Sequence, residues 1–136
     1  MKKLLILVFI ILAACQTRYP DFGVPNQKAI DVSLVNLIAT PDIYHEKIVR
    51  VIGVFRLRFE GNALFLSQDD YKHNIHKNSI WISPDLKALK SDLSTLQQLN
   101  GQYVLIEGTF DKNKTEHMGL NSGSLQKVTR IMLINH

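Results

Sequence analysis

From Val49 to Glu60 the chain alternates with a period of two. One set is Val49, Val51, Gly53, Phe55, Leu57 and Phe59, and the other is Arg50, Ile52, Val54, Arg56, Arg58 and Glu60. Side chains a strand apart by two share a face, so this is the signature of a long strand. The first set is apolar throughout. The second is apolar around Ile52 and Val54 and charged from Arg56 onward. A glycine in mid-strand permits a sharp bend or a bulge. The segment therefore predicts one strand that can bend at Gly53 and serve two sheets, its first half buried on both faces and its second half on one.

The rest of the pattern fits that demand. Asp31–Ala39 has apolar residues at helical spacing, with Asp31 as the expected N-cap and Pro41 as the stop. Gly61-Asn62 is turn chemistry, returning Ala63–Ser67 as a second strand. Ser67–Tyr71 reads as a capped single turn. Asn78–Ser83 is a third strand, ended by Pro84. Leu86, Leu89, Leu93, Leu96 and Leu99 recur at helical spacing, and Asn100-Gly101 is the expected C-cap. Gln102–Phe110 and Leu125–Ile134 are the fourth and fifth strands. Five strands, with one helix before strand 1 and one between strands 3 and 4, predict an all-β, five-stranded barrel of the oligonucleotide/oligosaccharide-binding (OB) kind. An open antiparallel sheet with two helices on one face is the alternative.

The N-terminal segment is of a different nature. Lys2 and Lys3 precede an eleven-residue apolar run, Leu4–Ala14, and Leu12-Ala13-Ala14 leads into Cys15, the only cysteine. A membrane-spanning helix needs about 20 residues, whereas a basic start and a short apolar stretch fit a secretory signal. An unpaired thiol is a hazard in an oxidising compartment, and a thioether removes it. The segment resembles the signal of bacterial lipoproteins. That resemblance implies cleavage before Cys15, lipidation of its sulfur and acylation of its new amine, since durable anchoring takes more than one acyl chain. Gln16, in place of Asp, implies the outer membrane, facing the periplasm, if the cell is Gram-negative. The expected organisation is a signal peptide over 1–14, a lipidated tether over 15–30 and the OB-like domain over 31–136. Without Lys2 and Lys3 the sixteen basic residues fall to fourteen against twelve acidic ones. A domain this near neutrality lacks the basic footprint of a nucleic-acid binder.

Val32–Ile134 also resembles a group of uncharacterised bacterial OB-like proteins, many of them lipoproteins. The likeness is carried by Leu34–Asp42 with Ile43-Tyr44, Lys47–Gly53, Glu60–Asp70, Tyr103–Phe110 and His117-Met118-Gly119-Leu120. It implies fold and compartment and transfers no catalytic residues.

The chemically interesting side chains are few. His73 and His76 stand three apart, but zinc wants three or four ligands, and Asp69, Asp70 and His117 have no motif that joins them. No metal or cofactor is expected. Asp69 and Asp70 beside Ser67 suit capping better than acid/base chemistry, and neither a nucleophile elbow nor a phosphate loop is present. Arg50, Arg56, Arg58, Lys127 and Arg130 with Phe55, Phe59, Phe65 and Trp81 would make a nucleic-acid face if the aromatics pointed outward. The expectation is that they point inward. The sequence thus indicates a non-enzymatic binding or accessory module of the cell envelope, its partner an envelope protein or polymer. A small metal-dependent hydrolase and an immunity-type toxin inhibitor are the alternatives. Loops carry function more often than core strands, so the expected contact surface is Tyr71–Asn78 with Asp111–Ser124, including Tyr71, His73, His76, His117 and Met118.

Overall fold

The computed structural model describes residues 19–115 and 119–135. In chain order the elements are β1 (Asp21–Gly23), β2 (Ile30–Asp31), α1 (Leu34–Ala39), α2 (Pro41–Tyr44), β3 (Ile48–Arg56), β4 (Ala63–Phe65) and α3 (Gln68–His73). A 3-10 turn (His76–Asn78), β5 (Ser79–Pro84), α4 (Leu86–Leu89), α5 (Leu93–Gln97), β6 (Tyr103–Asp111) and β7 (Ser124–Leu133) follow. No helix among the described residues is long and apolar enough to cross a membrane.

The strands close into a ring, β3-β4-β5-β7-β6 and back to β3. β5 and β7 are parallel, and the other seams of the ring are antiparallel. This is the predicted five-stranded OB-like barrel. β3 does what its alternation demanded. Ile48–Val54 pairs with β6 along one side, and Val54–Arg56 pairs with β4 on the other. Gly53 sits at the change of partner. A Cβ there would fall 2.6 Å from Leu64 Cγ and 2.8 Å from the Phe65 carbonyl oxygen, so only glycine lets β4 approach. Val49, Val51, Phe55 and Leu57 enter a core shared with Leu64, Ile80, Ile82, Val104, Ile106, Phe110, Leu125 and Ile131. Leu34 and Leu37 of α1, Leu89 of α4, Leu96 of α5 and Leu99 plug into the same core.

Several local expectations are corrected. Ser33, not Asp31, caps α1, its Oγ accepting from the Asn36 amide. Asp31 lies in β2 and receives Arg50. Pro41 opens α2 at its first position as well as closing α1. β3 stops at Arg56 rather than Glu60, because distant groups take over its backbone. The Leu57 amide donates to Asn100 Oδ1, and that side chain returns a bond to the Leu57 carbonyl. The leucine-spaced segment is two helices, not one. Lys90 takes a left-handed φ of 51°, and Asp92 caps a new start by accepting from the Thr95 amide. The expected turn at Ser67–Tyr71 extends to a full helix, α3, through His73.

The segment read as a tether carries one short strand, β1, and ends in a second, β2, that runs on into Asp31. β1 lies antiparallel on β7, and β2 lies parallel on β3. Between them the chain crosses the outer face of β6 over a fully buried carboxylate. Glu107 accepts from Arg50 Nε at 2.7 Å, from Arg130 Nη1 at 3.2 Å and from the Asn26 amide at 2.7 Å. The three charged residues stand side by side in register on β3, β6 and β7. Asp21 and Asp31 neutralise the outer sides of the two arginines. Removing one partner of such a buried set would leave uncompensated charge, which is strongly destabilising.

Gly53→Ala is expected to cost about 1–3 kcal/mol, the range for overpacking a filled interior. Urea unfolding should show a lower midpoint with an unchanged denaturant slope.

Candidate functional site

The aromatic and basic residues of the suspected face are distributed to different tasks. Phe55 is in the main core. Phe65 points outward on β4 into a second small core with Val54 and Ala63, which Tyr71 and Tyr103 cover. Tyr71 meets the Phe65 ring edge-on, with centroids 5.8 Å apart, and His76 lies tilted at 5.9 Å. α3 and the 3-10 turn therefore lie over the outside of β4. Ser67 caps α3 and Asn74 ends it in a left-handed conformation.

Arg56 sits beneath this insert, only 4% exposed. Its guanidinium carbon lies 4.5 Å from the Phe65 ring centroid. Nε donates to the Gly61 carbonyl and Nη1 to Asn74 Oδ1, tying the β3–β4 hairpin to the end of α3. Burial first, and then the neighbouring Arg58, pull its pKa down to about 10, so it stays cationic at neutral pH. Its Nη2 and the His76 Nδ1 are both buried with no hydrogen-bond partner among the described residues. Burial of the ring, with Arg56 and Arg58 nearby, lowers the His76 pKa below its usual 6.5.

The expected site residues separate accordingly. Tyr71 and His76 are committed to packing on Phe65. His73 is exposed on α3, its Nδ1 2.9 Å from the Asp69 carbonyl oxygen of its own helix. His117, Met118 and Cys15 lie outside the described residues. Among the described residues, no three His, Cys, Asp or Glu side chains gather as a metal ion would require. The two loops paired in the sequence reading do meet. Lys77 Nζ donates to the Gly119 carbonyl, Ser122 Oγ donates to the Lys77 carbonyl, and Asn121 Nδ2 donates to Ser79 Oγ.

A different surface offers a recess. The β3–β4 hairpin turns at Glu60, whose φ of 50° is left-handed, and holds Phe59 90% exposed at its tip. The hairpin faces α5 across an open groove of about 530 Å³. Trp81, on the outer side of β5, contributes to the lining with Leu93, Arg58, Glu60, Asn62 and Gln97. Two aromatic rings, the aliphatic side chains of Leu57 and Leu93, two amides and a charge of each sign thus line one groove. That is the composition of a small-ligand or polymer subsite, mostly apolar with a few directional polar groups. Alternation hid it. Phe59 matches the core parity of Phe55 and Leu57, and only the Glu60-Gly61 turn signal separates it from them.

No known protein family matches the chain, and no curated protein does. Among solved structures it is similar to a chain described as an aspartyl-tRNA synthetase from Leishmania major Friedlin. The TM-score is 0.48 at 11% identity, over 84% of this chain and 23% of that one. The chain thus spans about a quarter of that protein's length, and so loose a likeness carries no argument about activity.

Neutral His76 stabilises the fold fully above the unfolded value near 6.5, and that contribution is lost as pH falls through its lower folded value. The urea midpoint is therefore expected to drop as pH falls below about 6.5. In His76→Gln the drop should be smaller. An identical pH profile in the variant would remove His76 from the account.

Proposed function

We propose that this chain is a bacterial lipoprotein, tethered through lipid on Cys15, whose OB-like barrel binds an envelope glycan and catalyses nothing. The signal-like start at Lys2–Cys15 supports the anchor, and Gln16 supports the outer membrane facing the periplasm. The observation that carries the binding role is Phe59, a fully projecting aromatic at the mouth of a groove lined by Trp81. In OB barrels the face of the second and third strands and the loop between the first and second take oligonucleotides and oligosaccharides. Here those elements are β4, β5 and the Phe59 hairpin. Between the two ligand classes, the near-neutral charge after Cys15 favours the sugar. Rings stack on the apolar faces of pyranoses while Asn62, Gln97 and Glu60 meet hydroxyls. Tethering raises the local concentration of such weak encounters.

Protein purified from bacterial membranes is expected to begin at Cys15 and to carry a diacylglyceryl mass, which Cys15→Ser abolishes. Soluble glycan strands from the cell wall should bind the wild type, and a single-stranded oligonucleotide of similar length should not. Exposed aromatic anchors are worth more than about 1 kcal/mol at binding surfaces, so Phe59→Ala should weaken glycan binding about tenfold. Equal binding by wild type and Phe59→Ala would reject the groove as the site.

A further inference from the structure

The outer face of β3, β6 and β7 has two unlike halves. One is the charged row Arg50–Glu107–Arg130, which the chain between β1 and β2 covers. Two residues further along, the register places Ile52 beside Leu105 and Leu105 beside Met132. Val51, Val104, Ile106 and Ile131 are in the core, so these alternate side chains point outward. Ile52 is 50% exposed, and Leu105 and Met132 are half-buried. Tyr103 and Ile134, joined by a backbone hydrogen bond, extend the row.

The chain enters the barrel beside this apolar row. Asp21 pairs with Met132, and the Pro20 carbonyl accepts from the Leu133 amide. Tyr19, half exposed, lines a groove with Met132, Leu133 and Ile134. Tyr19 is four residues from Cys15. At 3.3–3.6 Å per residue that chain reaches about 14 Å at most. A domain of this length has a radius of gyration of about 13 Å, so its far side lies roughly 30 Å from Tyr19. The tether is too short for the far side to turn toward the surface that holds Cys15.

On the reading that Cys15 carries lipid, we infer that the barrel rests on the bilayer through the outer row Ile52–Leu105–Met132, with Tyr19 at the headgroup level. Tyrosine favours that level because its ring is apolar and its hydroxyl is wet. The row belongs to β6 and its two neighbours, and in a five-membered ring β4 and β5 lie across from β6. The groove at Trp81 and Phe59 is thereby directed away from the lipid.

Lipidated full-length protein in vesicles of phosphatidylethanolamine and phosphatidylglycerol tests this. Cysteines at Ile52→Cys, Leu105→Cys and Lys77→Cys, the last in the 3-10 turn before β5, would be labelled with a small fluorophore. Lipids carrying a quencher near the headgroup should quench the Ile52 and Leu105 labels several-fold more than the Lys77 label. Either of the first two positions suffices if the other variant does not fold. Equal quenching at all positions, or stronger quenching at Lys77, overturns the assignment. Wild-type protein serves as the internal check, since a thioether takes no label. If the wild type is labelled, the lipid anchor is wrong and the proposal falls with it. If it stays unlabelled while the quenching is equal, only the choice of face is wrong.

Discussion

The architecture depends on one strand having two partners. β3 gives its first seven residues to β6 and its last three to β4. The change of partner requires the β4 backbone and Leu64 to come within a methyl group's distance of Gly53. Without that approach the sheet stays open, and the interior shared by β4, β5 and β7 has no wall. A second tight approach occurs on the opposite side of β6. A Cβ on Gly108 would fall 2.9 Å from the Gln126 carbonyl oxygen, where the β6–β7 register shifts. Two glycines thus permit the tight β3–β4 and β6–β7 seams, as expected where a sheet closes sharply.

Charge on the outer face of β3, β6 and β7 is arranged as one paired set. Glu107 holds Arg50 and Arg130 from the middle strand, and Asp21 and Asp31 hold them from outside. Arg56 has no carboxylate partner among the described residues and lies against the Phe65 ring and the Gly61 and Asn74 oxygens instead. Three of the five basic residues considered for a nucleic-acid face are therefore committed within the fold. Of the other two, Arg58 lines the hairpin groove with Glu60 and Phe59, and Lys127 is exposed on β7.

Much of the barrel was legible because burial imposes periodicity. The alternation at Val49–Leu57 and the Gly53 bend follow directly from side chains facing a common interior. What was not legible rests on partners distant in sequence. β3 ends where Asn100, forty-three residues away, takes the Leu57 backbone. The leucine run 86–99 keeps helical spacing across a break because Leu89, Leu96 and Leu99 reach one core from separate short elements. Phe59 and Phe65 are the same residue type, six positions apart on one hairpin. One is exposed and the other buried because α3 folds back over only the second. Tyr71 and His76 were legible as loop residues with polar potential, and packing on Phe65 has absorbed both.

The short strands β1 and β2 have a consequence for how copies of the molecule coexist. Staggering around the ring leaves β7 unpaired by β5 beyond Val128 and leaves the start of β3 unpaired by β4. Each would be a row of open amides and carbonyls, ready to add a strand from a neighbour. β1 occupies the first at Arg130–Met132 and β2 the second at Val49–Arg50. Proteolytic trimming as far as Val32 would uncover both at once, and the product would be sticky at two separate margins. The same thirteen residues that join the barrel to whatever precedes them also cover two strand margins that a neighbour's strand would otherwise fit.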